Sequence, residues 1–320
     1  MLIRFFFVVA VLLMCGAAAA QNYPSKPVRL VVGFAPGGGQ DSLARTVAQK
    51  LSIAFNQQFV VENRSGAGGT IGADLVAKSP PDGYTLLFAG VASHAINPNL
   101  QKNLPYDPLR DFEAASLLAT APMMVAVHPS LPAQTVQQLV ALARAKPGEI
   151  SYASSGLGSS AHLTGALFMS LSRTNLLHIP YKGVSQGLID VLSGQVLVIF
   201  NAAAALLPHM QAGKLRVLGI SSVNRIASLA NVPTIAESGV PGYQAGSWYG
   251  IAAPAGTPRP IIDRLSREAA TFMKAPELVA RLNAEAIIAI GSTPEEFTAH
   301  IKDELARLGK VIREARITLE

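Results

Sequence analysis

The sequence predicts an α/β protein of two lobes with a ligand cleft between them. Short apolar runs that read as strands alternate with segments of helical spacing, the pattern of parallel sheets covered by helices. This pattern appears in the first third and again in the middle third, with no long disordered linker, low-complexity tract or solenoid-period repeat. Loops rich in glycine or serine follow the strands in both thirds.

Residues 28–32, Val-Arg-Leu-Val-Val, read as a buried strand, and Leu43, Val47 and Leu51 follow at helical spacing. Residues 59–62 and 84–88 read as two further strands, with a short helix over 71–77 between them. The middle third has a strand at 124–127, a helix over 135–145 ended by Pro147-Gly148, a short strand at 151–153 and a helix over 162–171. Residues 177–179, 196–200 and 215–220 complete a second sheet. Pro233, Gly239, Pro241 and Gly242 mark a loop-rich stretch before a last strand at 248–252. Two helices are then well signalled. Thr257-Pro258 is an N-cap followed by proline at the first helical position. Thr293-Pro294-Glu295-Glu296 is a capping box ahead of the apolar stripe Phe297, Ile301, Leu305, Leu308 and Ile312.

Without a linker, the chain has to cross between lobes on short strand-like segments, and 122–128 and 247–254 are the candidates. The expected division is a discontinuous first lobe, 21–124 with 250–320, and a second lobe, 125–249. Lobe closure on the ligand is expected, with Trp248, the sole tryptophan, in one crossover.

Residues 1–20 have the layout of a secretory signal: Arg4, an apolar run, then small residues with Ala18-x-Ala20 before Gln21. The apolar run is short for a bilayer span. Cys15 offers a lipoprotein-type alternative, with Met14 standing where a small residue is the rule. Cleavage after Ala20 removes the only cysteine, which excludes disulfides and thiolate metal sites from the exported chain. The periplasm is the expected location. The net charge of +6 suits the collection of anions. Lys and Arg do not cluster with aromatics, so nucleic acid is not an expected partner.

Four loops are candidates for chemistry. Phe34-Ala35-Pro36-Gly37-Gly38-Gly39-Gln40-Asp41 joins a strand to a helix. Glycines leave backbone N–H groups uncovered, and a helix N-terminus adds partial positive charge, which together make an anion site needing no basic side chain. The same residues also fit a plain strand-to-helix turn with Asp41 as N-cap. The loop matches neither a P-loop nor Gly-x-Gly-x-x-Gly. Residues 154–162, with Ser155, Gly158, Ser159 and His162, hold the equivalent place in the second sheet and fit either a carboxylate site or a serine-rich helix cap. Tyr181 and Lys182 lie in a third such loop, where a solvated lysine at an edge turn is the alternative, and Ser93 in a fourth, 89–97. All follow strand C-terminal ends, where open α/β sheets bind ligands.

The six histidines show no His-x-x-x-His or His-Glu zinc pairing. The expectation is a receptor with no catalysis, metal or cofactor. A secreted hydrolase using a serine and His162, and a sensory receptor presenting its ligand to a signalling partner, are the alternatives.

The order of motifs resembles the receptors of the tripartite tricarboxylate transporter family, the Bug-type periplasmic binding proteins. The matching segments run almost end to end. They include Tyr23-Pro24-x-Lys26-Pro27, Phe34-x-Pro36-Gly37-Gly38-x-x-Asp41-x-x-Ala44-Arg45, Val61-Glu62-Asn63-Arg64-x-Gly66-Ala67-Gly68-Gly69 and Pro81-Asp82-Gly83-Tyr84. Tyr106-Asp107-Pro108, Ser159-x-x-His162-Leu163, Pro180-Tyr181-Lys182-Gly183, Gly213-Lys214-Leu215-Arg216 and Trp248-x-Gly250-x-x-Ala253-Pro254 follow. The resemblance implies a type II periplasmic-binding-protein fold and a monomer. It also implies an organic acid or amino acid ligand and delivery to membrane permease subunits. Carried over to this chain, it implies a ligand site at Phe34, Ala35, Pro36, Gly37, Gly38, Asp41, Ser93, Ser155, Gly158, Ser159, His162, Tyr181 and Lys182. The chain departs from the family pattern at Ala166, at Gln186-Gly187 and at Leu197. The last two departures bear on the ligand rather than on the fold.

Overall fold

The computed structural model describes residues 23–314, 317 and 318. The expected leader, its cleavage site and Cys15 lie outside them.

The first third builds β1 (Val28–Val32), α1 (Gly39–Phe55), β2 (Phe59–Asn63), α2 (Thr70–Ala77) and β3 (Thr85–Gly90). β1 pairs in parallel with both β2 and β3. Its alternation sorts side chains to two faces. Leu30 and Val32 pack with Leu43, Val47 and Leu51 of α1, whereas Val31 packs with Ala73 and Val76 of α2. Covered on both faces, these strands are near-continuous apolar runs, as a buried parallel sheet requires.

After β3 the chain makes a π-helical turn, Ala92–Ile96, that runs into α3 (Asn97–Leu100). β4 (Phe112–Val127) follows, far longer than the strand expected at 124–127. The middle third adds α4 (Val136–Ala145), β5 (Ser151–Ser154), α5 (Ser160–Ser172), β6 (Leu177–Pro180), α6 (Val184–Leu192), β7 (Val198–Ala202), α7 (Ala203–Gln211) and β8 (Arg216–Ile220). β5 pairs in parallel with β6 and β7. Tyr152, Val198 and Phe200 face α4 and α5, while Ala153 and Ile199 pack with Val184, Val191, Ala203 and Leu206 of α6 and α7.

The chain returns through β9 (Gly246–Pro254) and ends in α8 (Arg259–Met273), α9 (Pro276–Ala284), β10 (Ile288–Ala289) and α10 (Pro294–Glu314). Neither α9 nor β10 is signalled in the sequence reading. Phe297, Ile301, Leu308 and Ile312 of α10 are buried on the first half, together with Trp248.

The sheet is not purely parallel. β4 runs antiparallel to β9 from Phe112 to Pro122, then antiparallel to β7 from Met123 to Val127. One strand therefore belongs to both halves, and the order β2-β1-β3-β9-β4-β7-β5-β6 is continuous. The candidate crossovers fall on β4 and β9.

Candidate functional site

The cavity between the halves is lined where their strands end. Gly33, Phe34, Ala35 and Gly38 come from the loop after β1, Gly90 ends β3, and Val91, Ala92 and Ser93 come from the turn after it. Ser155 follows β5, Gly183 follows β6, and Asn201 and Ala202 end β7. Met123, Ser247 and Tyr249, on the crossing strands, also line it.

Four helices begin at this cavity. Gly39 and Gln40 open α1, Ser160 opens α5, Val184 opens α6, and Ala202 is the N-cap of α7. A helix N-terminus presents N–H groups without intrahelical partners and a partial positive charge. The caps Gly38, Gly183 and Ala202 offer no side-chain hydrogen bond to those groups. The lining contains no Asp, Glu, Lys, Arg or His. Its field is therefore set by backbone dipoles pointing inward from both halves, the arrangement that holds an anion without a cationic side chain.

The polar side chains complete this picture. Gln40 Nε2 donates to the Phe88 carbonyl at 3.0 Å, tying α1 to β3. Ser247 Oγ donates to Ser160 Oγ at 3.0 Å. Asn201 Oδ1 accepts from the Ala202 N–H at 2.7 Å, and its buried Nδ2 has no partner among the described residues.

Comparison with known proteins gives this geometry a lineage. Residues 43–317 match the model of the tripartite tricarboxylate transporter family receptor. The chain belongs to that family. BugT of Bordetella pertussis is 36% identical over 94% of this chain and 93% of its own. The periplasmic binding protein BugD superposes with a TM-score of 0.88 at 32% identity, covering 92% of this chain and 99% of BugD. Rpa4515 of R. palustris, solved with adipate, superposes with a TM-score of 0.90 at 37% identity, covering 92% of this chain and 99% of that one. The receptor thus has the two-lobed fold of periplasmic binding proteins, and its family and neighbours are receptors rather than enzymes.

Of the residues singled out in the sequence, Phe34, Ala35, Gly38, Ser93 and Ser155 line the receptor's cavity. Pro36 and Gly37 sit on the seam between lobes: the Pro36 carbonyl accepts from Ser185 Oγ at 3.4 Å, and a Cβ on Gly37 would stand 3.1 Å from that same oxygen. Asp41 does not line the cavity and is not the N-cap, because α1 starts at Gly39 with Gly38 as its cap. Its carboxylate reaches back instead, accepting from the Gly37 N–H at 3.0 Å, from Arg45 at 3.0 Å and from Asn63 at 2.9 Å. Burial pushes its pKa up, but these donors outweigh burial and hold it below the usual carboxylate value. Asp41 shapes the loop between β1 and α1. Asp41→Asn is expected to weaken ligand binding about tenfold and to destabilise the fold by about 2 kcal/mol, through lost charge-assisted bonds. Calorimetry and urea unfolding measure the two effects. An unchanged affinity would show that the loop keeps its shape without this anchor.

The other candidates do not line this cavity. Ser159 caps α5, accepting from the His162 N–H at 3.2 Å and donating to the Gly156 carbonyl at 2.6 Å. Gly158 donates to His162 Nδ1 at 3.3 Å. The His162 ring stacks on His178 at 4.6 Å, and His178 stacks on Tyr152 at 4.7 Å. Burial lowers the pKa of His162, which favours the neutral imidazole. Tyr181 donates to Asp190 at 2.5 Å, and Lys182 is exposed. Gly158, Ser159, His162 and Tyr181 brace the second-lobe loops without lining the cavity. Serine–histidine pairs do occur, half-buried at Ser154–His178 (2.6 Å) and buried at Ser93–His94 (2.9 Å). Neither imidazole meets a carboxylate among the hydrogen bonds of the described residues, so the orienting partner of a triad is missing there.

The sequence reading missed Gln40, Ser160, Val184, Asn201, Ser247 and Tyr249. The rule that found Ser155 also points to Asn201, since both stand where a parallel strand gives way to a helix.

Proposed function

We propose that this receptor captures a small organic carboxylate in the periplasm and delivers it to the membrane permease subunits of a tripartite transporter. The observation that carries the reading is the convergence of four helix N-termini on a cavity without a charged side chain. A carboxylate supplies the negative charge that those N–H groups lack. The adipate bound by Rpa4515, a structural neighbour, agrees with it.

The working form is a monomer, exported with its leader removed after Ala20, and no metal or catalytic step enters its action. Its lobes divide as 21–124 with 250–320 and 125–249, hinged on β4 and β9. Trp248 is a poor reporter of that hinge despite its place on β9. The rings around it, His94, Phe297 and His300, all belong to the first lobe.

A thermal-shift screen of short mono- and dicarboxylates, each beside its methyl ester, tests the reading. At about 100 times its dissociation constant, a true ligand stabilises the fold by about 2.7 kcal/mol. The acids should stabilise and the esters should not. Equal shifts from acid and ester, or none from any acid with ligand-free protein, would contradict the proposal.

A further inference from the structure

We propose that Asn201 reads the far end of the ligand, and that the ligand is an unaminated carboxylic acid carrying a second hydrogen-bond acceptor. This rests on the carboxylate reading above and specifies its ligand class. Asn201 is the penultimate residue of β7 and only 8% exposed. Its amide orientation is fixed by the bond from the Ala202 N–H to Oδ1 at 2.7 Å, because only the oxygen can accept. The NH₂ group must then occupy the other branch of the side chain. It is buried, and no acceptor among the described residues meets it. Asn201 lines the cavity, so the missing acceptor is supplied by what fills it.

The surrounding chemistry also disfavours an amine. An ammonium brings three donors and a positive charge, and once buried it needs acceptors, preferably anionic ones. No Asp or Glu lines the cavity. The Phe88 carbonyl already accepts from Gln40, and the Gly90 carbonyl from Ser93 Oγ at 3.1 Å, which leaves each a single lone pair. The helix N-termini would repel the charge. The site offers donors at both ends, and a diacid, keto acid or hydroxy acid matches it where an α-amino acid does not.

Calorimetry on matched pairs tests this: butanedioate against aspartate, pentanedioate against glutamate, with butanoate as the one-ended reference. The native receptor should bind each diacid roughly 100-fold or more tightly than its amino counterpart. Asn201→Asp keeps the shape and the oxygen that serves Ala202, but turns the free donor into an acceptor. It should narrow the diacid preference at least about tenfold. Asn201→Ser keeps an oxygen but loses the reach, and should bring diacid affinity to within about threefold of butanoate. Circular dichroism establishes that each variant is folded. An equal or tighter grip on the amino acids by the native receptor would overturn the inference. So would unchanged ratios in both folded variants. If no acid of either series binds, the carboxylate reading falls and this inference with it. If acids and amino acids bind alike, this inference falls while the carboxylate reading stands.

Discussion

Gly68→Ala is expected to weaken ligand binding roughly tenfold to a hundredfold while leaving both lobes folded. The lobes touch across the cleft. A Cβ on Gly68, in the loop after β2, would stand 2.6 Å from the Leu157 carbonyl oxygen and 3.0 Å from the Gly158 carbonyl carbon, both in the opposite lobe. These are backbone atoms and cannot swing aside like the end of a long side chain. Gly158 faces Asn97 so closely that an added Cβ would overlap its Oδ1, and a Cβ on Gly183 would lie 2.9 Å from the Ala35 Cβ. The closed cleft therefore depends on small residues along its seam. Gly68 has φ +64°, so alanine also adds local strain of about 1–2 kcal/mol. That strain acts in the open and the closed form alike and lowers stability rather than affinity. Calorimetry with a carboxylate ligand, beside scattering with and without it, separates the two. Unchanged affinity together with unchanged compaction would show that this contact does not limit closure.

Lowering the pH from 7 to 5 is expected to destabilise the fold by about 2 kcal/mol through His94 alone. The His94 side chain is fully buried, 2.9 Å from Ser93 Oγ and packed against Phe112 and Trp248. Burial lowers its pKa to about 3. The folded value lies below the unfolded one of about 6.5, so the unfolded chain binds the proton more readily as pH falls. Stability is complete above about pH 6.5 and is lost progressively toward the folded value. At pH 5 the group is about 1.5 pH units below its unfolded pKa, worth about 2 kcal/mol. His178 acts in the same direction, its pKa lowered to about 4 by burial and then by the nearby His162. Urea unfolding at pH 7 and pH 5 should show the loss in the native chain, and His94→Gln should remove about 2 kcal/mol of it. An identical pH response in the variant would place the titration elsewhere.

The features legible in the sequence were those set by pattern. The strands at 28–32 and 216–220, the glycine-rich loop after β1 and the capping box before α10 all declare themselves by spacing and residue type. The long antiparallel β4 did not. Its first part, Phe-Glu-Ala-Ala-Ser-Leu-Leu-Ala-Thr-Ala, is rich in alanine, a weak strand former, and it breaks alternation at two register shifts. β7 runs two residues beyond the expected strand, and that extension hid Asn201. The α7 start lacks a capping signal, because Ala202 occupies the N-cap. Asp41, Ser159 and His162 show a different limit. The sequence marks them as polar groups near the cleft but not the direction in which they bond: Asp41 turns to Gly37, Arg45 and Asn63, and Ser159 and His162 bond within the loop and first turn of α5.

The central claim is that an anion is held in the cleft by helix N-termini rather than by cationic side chains. A crystal structure of the receptor with its tightest carboxylate ligand tests it most directly. The account predicts carboxylate oxygens within about 3.2 Å of backbone nitrogens where α1 and the second-lobe helices begin, directly or through one ordered water. It predicts no Lys or Arg side chain paired with that carboxylate. A ligand paired with a lysine or arginine, or seated outside the cleft, would contradict it.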